Sequence, residues 1–263
     1  MPGPVLADLD QRGVARITLN RPEAGNAYNS AMIEGLLAAL DDLIARPELR
    51  VVVLKGNGRH FQAGADLKWI NEVAAVSEEE NVRVSRATAE AVDRVNRLPV
   101  PTVALVHGGC FGGGTGMVAA CDVVIAADTA VFSISEVRWG LTAAIIIPQL
   151  SDAISARQLR RYALTAERFD AAEAQRIGLV HQVVPADALA GAGEAMVAKL
   201  LENGPQAMAE TKAWILKFAW GGFDRSDLEA ISSSHGATRR TAEAAEGLAS
   251  FAGKRAAQWR RET

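Results

Sequence analysis

Three short runs in the first half of the chain, RVVVLKG (50–56), PTVALVHG (101–108) and CDVVIAA (121–127), are almost continuously apolar and rich in β-branched residues. A strand with one wet face alternates polar and apolar side chains. A strand apolar throughout must be covered on both faces, as in a parallel sheet. Parallel neighbours need crossover connections, and the segments between these runs have helical periodicity. From Ser30 the positions Ile33, Leu36, Leu37, Leu40, Leu43 and Ile44 predict an amphipathic helix over 30–46. Ser77 with Glu80 forms a capping-box pattern, opening a helix that runs to about Leu98 with Val84, Ala87, Ala91, Val95 and Leu98 on one stripe. GVARITLN (13–20) alternates at the strand period, AVFSI is a further strand, and a short helix follows Asp66. Beyond about residue 145 the pattern is nearly all helix, punctuated by Pro148, Pro185 and Pro205, with LVHQVV as one short strand. The expectation is an α/β core over 1–203 followed by a helical C-terminal region over 204–263, divided at NGPQA.

Composition excludes several classes. A net charge of −3 provides no basic footprint for nucleic acid. The basic residues of GKRAAQWRRE near the end read as a solvated helix face. Cys110 and Cys121, in apolar or glycine-rich sequence and without C-x-x-C spacing, are no disulfide framework and fit a reducing compartment. MPGPVLADLD lacks the character of a signal peptide, and LTAAIIIPQL is too short for a membrane span and is broken by Pro148. The expectation is a soluble, cytoplasmic protein that engages neither nucleic acid nor membrane. His60, His107, His181 and His235 are scattered without ligand spacing, and no G-x-S-x-G elbow occurs, so neither a metal site nor a Ser-His-Asp centre is expected.

The segment HGGCFGGGTGMVAACD (107–122) holds six glycines between Gly108 and Gly116. No glycine in it begins a G-x-G-x-x-G pattern, and G-K-[ST] is absent. What remains is a strand, a glycine run and a helix start, which leaves bare backbone N–H groups open to a ligand or permits close helix–strand packing. HFQAGADLKW (60–69) presents small residues in the same setting, after a strand and before a helix. Two such segments converging on one point are what an oxyanion hole requires.

With NRPEAGNAYN, FSISEVRWGL, LTAERFDAAEAQRIGLVHQVV and the closing EGLASFAGKR, these segments run in order from about residue 5 to residue 257. Together they resemble the crotonase family, the enoyl-CoA hydratase/isomerase superfamily. The resemblance implies a spiral of ββα units with a helical C-terminal trimerisation region, assembled as a trimer or dimer of trimers. It implies an acyl-CoA thioester as substrate, with CoA part of that substrate and no separate cofactor. The thioester oxygen would accept hydrogen bonds from the backbone N–H groups of Ala65 and Gly113. Ala24 and Ala27 in the first loop, and Ala63 through Lys68 with Asp66 and Leu67 between them, would hold pantetheine and adenine. Lys254, beside Phe251, would meet a CoA phosphate. Trp139 and Leu141 are core by default and could line the acyl pocket. Asp66 also reads as a helix N-cap, and Asp122 as structural.

Hydratases of this family carry two glutamates. The first position falls on Gly116, so that carboxylate is missing; the second falls on Glu136. Glu136 is the only carboxylate of segment 129–151 and sits amid Val131, Phe132, Ile134, Val137 and Trp139, a setting that raises a carboxyl pKa and suits it to proton transfer. One glutamate could serve hydration of a 2-enoyl-CoA or a shift of a C3–C4 double bond to C2–C3, and both stay open. The layout and the SEVRWGL and PQL elements resemble the bacterial subgroup that hydrates branched glutaconyl-type CoA esters. After Glu136, Leu141-Thr142-Ala143-Ala144-Ile145 stands where common members have I-P-G-A-G. Outside these readings stands a catalytically inactive scaffold or RNA-binding relative, against which the retained Glu136 and mild acidity count.

Overall fold

The computed structural model describes residues 2–219, 226, 237 and 241–259, with Phe251 described by its backbone alone. The three apolar runs form β3 (Val51–Gly56), β4 (Thr102–Val106) and β6 (Val123–Ala127). They are central in a six-stranded sheet of order β1-β2-β3-β4-β6-β9, completed by β1 (Val5–Leu9), β2 (Val14–Leu19) and β9 (Gln182–Val184). From β2 onward all neighbours are parallel, while β1 is antiparallel to β2. Both faces are covered, which explains the runs. Val51 and Val53 of β3 pack with Leu189 and Val197 of α8 (Leu189–Leu201), whereas Val52 and Leu54 belong to the larger core. Edge strand β1, half-buried to exposed, carries no apolar run and has no counterpart in the sequence reading.

Two crossovers are the expected amphipathic helices. In α1 (Ser30–Ile44) Met32, Ile33, Leu36, Leu40 and Leu43 are buried, and Asn29 Oδ1 caps the first turn by accepting from the Met32 N–H. In α3 (Glu78–Asn96) the Ser77 hydroxyl accepts from the Glu80 N–H, while the Glu80 carboxylate turns to Arg83 rather than closing the capping box. Short helix α2 (Leu67–Ala74) starts at Asp66, whose Oδ1 accepts from the Lys68 N–H, as its N-cap reading requires. A second, small sheet joins β5 (Gly109–Phe111), β7 (Val131–Ser133) and β8 (Phe169–Asp170) in that order. Between β5 and β6 lies α4 (Gly113–Ala119).

Helices dominate beyond residue 145, as expected, and α9 (Pro205–Ala219) is joined to the core by a polar clasp. The Asp122 Oδ2 accepts from Lys212 Nζ at 2.7 Å, from the Thr102 N–H at 2.7 Å and from the Thr102 hydroxyl at 2.9 Å. Its structural reading is thus a cross-link between β4, the start of β6 and α9. Asp122→Ala is expected to lower unfolding stability by about 2–3 kcal/mol, because it strips partners from a nearly buried ammonium and from a strand N–H. A denaturant melt unchanged from wild type would contradict this. A last described helix spans Ala242–Ala252. Among the described residues no helix is long and apolar enough to cross a membrane. His235 lies outside the described residues.

Candidate active site

The two glycine-bearing segments run side by side. The Gln62 N–H donates to Gly109 O and the Phe111 N–H donates to Gln62 O, so 60–65 is stitched to β5. On its other side this segment bridges to the first loop: the Tyr28 N–H donates to Gly64 O at 2.8 Å and the Asp66 N–H donates to Tyr28 O at 3.0 Å. In a parallel bridge those bonds use the groups flanking the central residue, so Ala65 directs its own N–H away from Tyr28. Gly113 is the first residue of α4, and its N–H is among those a helix leaves without an internal partner. Gly112, between β5 and α4, has φ +51°, a left-handed conformation costly to any side chain, and a Cβ there would stand 3.1 Å from Glu136 Oε1.

Ala65, Gly113 and Glu136 border one cavity of about 600 Å³. Ala63, Leu67, Trp139 and Leu141 also line it, whereas Ala24, Ala27, Asp66, Lys68 and Lys254 do not. Ala24 closes a 3-10 turn over Pro22–Ala24, and Ala27 is buried. Lys68 is exposed and lies 3.9 Å from Glu72, and Lys254 is exposed in the turn after the last helix. The side chain of Phe251 lies outside the described residues.

Glu136 opens a 3-10 turn over Glu136–Trp139, directly after β7. Its Oε2 is buried without a hydrogen-bond partner. Burial pushes its carboxyl above the ordinary glutamate value, with hydrogen bonds from its own and the Ser135 backbone N–H opposing in part. At Gly116 an added Cβ would fall 2.0 Å from Ile146 Cγ2. The missing first carboxylate therefore leaves no vacancy: Ile146 occupies its space.

Sequence reasoning passed over three residues here. Tyr28 lines the cavity with its ring against Gly113, where a Cβ would meet Tyr28 Cε1 at 2.7 Å, and stands edge-on to Trp69 at 5.5 Å. Burial, helped by the negative charge of Glu136, pushes the Tyr28 phenol up to about 12. Gln62 is buried with an unpartnered Oε1, and Arg21 holds the site's entry loop together by donating to Ala27 O and to Asp66 Oδ2. All three stand inside the motifs already quoted. Their residue types carry no signal of their own, and only folding brings Tyr28 onto Gly113.

The chain is similar to known proteins along almost its whole length. The pattern defining the family described as enoyl-CoA hydratase/isomerase matches residues 10–262. A putative enoyl-CoA hydratase of Thermus thermophilus is 34% identical over 251 residues, 95% of this chain and 98% of that one. A mitochondrial Delta(3,5)-Delta(2,4)-dienoyl-CoA isomerase of Dictyostelium discoideum is 30% identical over 213 residues, 77% of this chain and 73% of that one. Among solved structures, Pseudomonas aeruginosa AtuE superimposes with a TM-score of 0.94 at 36% identity, covering 98% of this chain and all of the other. The chain therefore has the crotonase fold and belongs to the enoyl-CoA hydratase/isomerase family.

Proposed function

We propose that this protein adds water across the C2–C3 double bond of a 2-enoyl-CoA thioester. One juxtaposition carries the reading: the Ala65 and Gly113 backbone and the Glu136 carboxylate share a single cavity, and among the described residues no other carboxylate, lysine, arginine or histidine lines it. Water oxygen bonds to C3 as its proton passes to Glu136. The π electrons move onto the thioester oxygen, where the two N–H groups receive the developing charge. Each such donor is worth about 3 kcal/mol in the transition state. The enolate then collapses as Glu136 returns the proton to C2, which leaves hydrogen on C2, hydroxyl on C3 and the carboxylate regenerated. A carboxyl raised by burial is a better base when ionised and a donor better matched to neutral pH when protonated. Tyr28, whose phenol burial pushes up to about 12, stays protonated near neutral pH and lines the same cavity.

On the same reading the backbone at Ala24, Ala27 and Ala63 with Asp66, Leu67 and Lys68 holds pantetheine and adenine. Lys254 and Phe251 meet CoA within a trimer or dimer of trimers. A second reading, migration of a C3–C4 double bond to C2–C3, is favoured by Ile146 filling the space beside Gly116, since a lone carboxylate can take a proton from C2 and deliver it to C4.

Incubation with 2-hexenoyl-CoA and 3-hexenoyl-CoA, read by product mass together with chromatographic retention against the two isomers, separates the two. Hydration is expected to add one water to the 2-enoyl ester. Conversion of the 3-enoyl ester at unchanged mass, with no hydrated product from either, would establish isomerisation instead.

A further inference from the structure

We infer that the acyl group this site accepts is uncharged, apolar and longer than the four-carbon crotonyl unit, an inference that rests on the thioester reading of the same cavity. From the rim at Leu67 and Trp139, both more than half exposed, the cavity passes Glu136 and reaches Leu19, Leu36, Ala91, Val92 and Met117, each no more than 5% exposed. One face of α3, from Asn81 to Val92, lines it. At 1.5 Å per residue that face is about 16 Å long. At about 30 Å³ per water, a cavity of about 600 Å³ has room for roughly 20 waters. A crotonyl group would leave much of that apolar volume unfilled.

The chemistry of the wall sets the second half of the inference. Among the described residues no lysine, arginine or histidine lines the cavity, so a carboxylate on the acyl chain would find no counter-ion. It would also share the space with Glu136. The polar groups of the α3 wall are largely engaged: Asn81 Nδ2 donates to Val73 O at 3.1 Å and the Thr88 hydroxyl donates to Val84 O at 3.0 Å. An uncompensated buried charge is among the most costly groups to place in such surroundings. Carboxylated, glutaconyl-type esters are thereby disfavoured, although the sequence resemblance points toward them.

The test is calorimetric binding of saturated thioesters, which undergo no reaction, to the full chain. A fully buried methylene is worth about four-fold in affinity, so decanoyl-CoA is expected to bind at least roughly 30-fold tighter than butyryl-CoA. Glutaryl-CoA is expected to bind at least ten-fold more weakly than butyryl-CoA. Ala91→Phe, at the buried end, is expected to cost decanoyl-CoA at least ten-fold more than it costs butyryl-CoA. Ser85→Arg, at an exposed helix position on the wall, keeps the test open should the first variant misfold, and is expected to raise glutaryl-CoA affinity about ten-fold. Equal affinity across chain lengths, or glutaryl-CoA binding as tightly as butyryl-CoA, would overturn the inference, as would Ser85→Arg leaving glutaryl-CoA affinity unmoved. If the binding series holds while no 2-enoyl-CoA is turned over, the hydration reading fails and the acyl preference stands.

Discussion

Glu136→Gln is expected to lower kcat/KM for a 2-enoyl-CoA by about 10²–10⁴, the usual contribution of a positioned acid–base group. That corresponds to roughly 3–5 kcal/mol of transition-state stabilisation. The substitution keeps the shape of the side chain and the β7 exit, so affinity for a saturated acyl-CoA should change little. Stability should move in the opposite direction from activity. Burial raises the folded-state pKa of Glu136 above its ordinary value of 4.5, so between those two values the folded protein holds more proton than the unfolded chain. The contribution of Glu136 to stability therefore falls as pH rises through that window, and above it the ionised, half-buried carboxylate is a net cost. Glu136→Gln removes that cost, and its unfolding midpoint at pH 8 should equal or exceed that of wild type, with the difference shrinking toward pH 4. In the wild type the acid limb of kcat/KM should lie above the ordinary carboxylate range, since the base must be ionised to receive the proton of water. Full activity in the glutamine variant, or an acid limb at or below 4.5, would remove Glu136 from the chemistry.

Gly116→Glu should not restore a second catalytic carboxylate. Its Cβ would lie 2.0 Å from Ile146 Cγ2 and 2.4 Å from Ile146 Cβ, too close for a rotamer change alone to relieve. Overpacking of this kind costs about 1–3 kcal/mol, and enclosing a carboxylate beside Glu136 adds to it, so a loss of at least about 3 kcal/mol is expected with no rise in kcat. Ile146→Ala combined with Gly116→Glu should recover part of the loss, because the two positions share one volume. The non-additivity, measured by denaturant unfolding as a double-mutant cycle, should be about 1–3 kcal/mol. Strict additivity, or a Gly116→Glu protein as stable as wild type, would mean that the space beside α4 is open and that Ile146 does not take the place of the missing acid.

Much of this was written in the order of residue types. Continuous β-branched runs require a sheet covered on both faces, and β3, β4 and β6 are that sheet's central strands. The caps at Ser77 and Asp66 are local, each a side-chain oxygen within three residues of the N–H it accepts from, and local bonds leave a sequence signature. Strand β1 left none, because an edge strand gains its pairing from β2 and not from a pattern of its own. The motifs also named the two backbone segments and Glu136, since each consists of residues whose spacing is fixed along the chain.

What the sequence alone determined, then, is the alternating α/β core, the local starts of its helices, and the absence of a carboxylate at position 116. Only the tertiary structure decided that Ala65, Gly113 and Glu136 border one cavity, that Ile146 fills the space beside Gly116, and that Tyr28 lies on Gly113 in the same cavity as that acid. The physical reason is distance along the chain. A cap or a buried strand is set by neighbours a few residues away, whereas the polarity of a cavity is set by side chains that stand far apart along the chain, as Tyr28, Ala65 and Glu136 do. No residue type announces which remote partner it will meet until the sheet and its crossovers have brought them together.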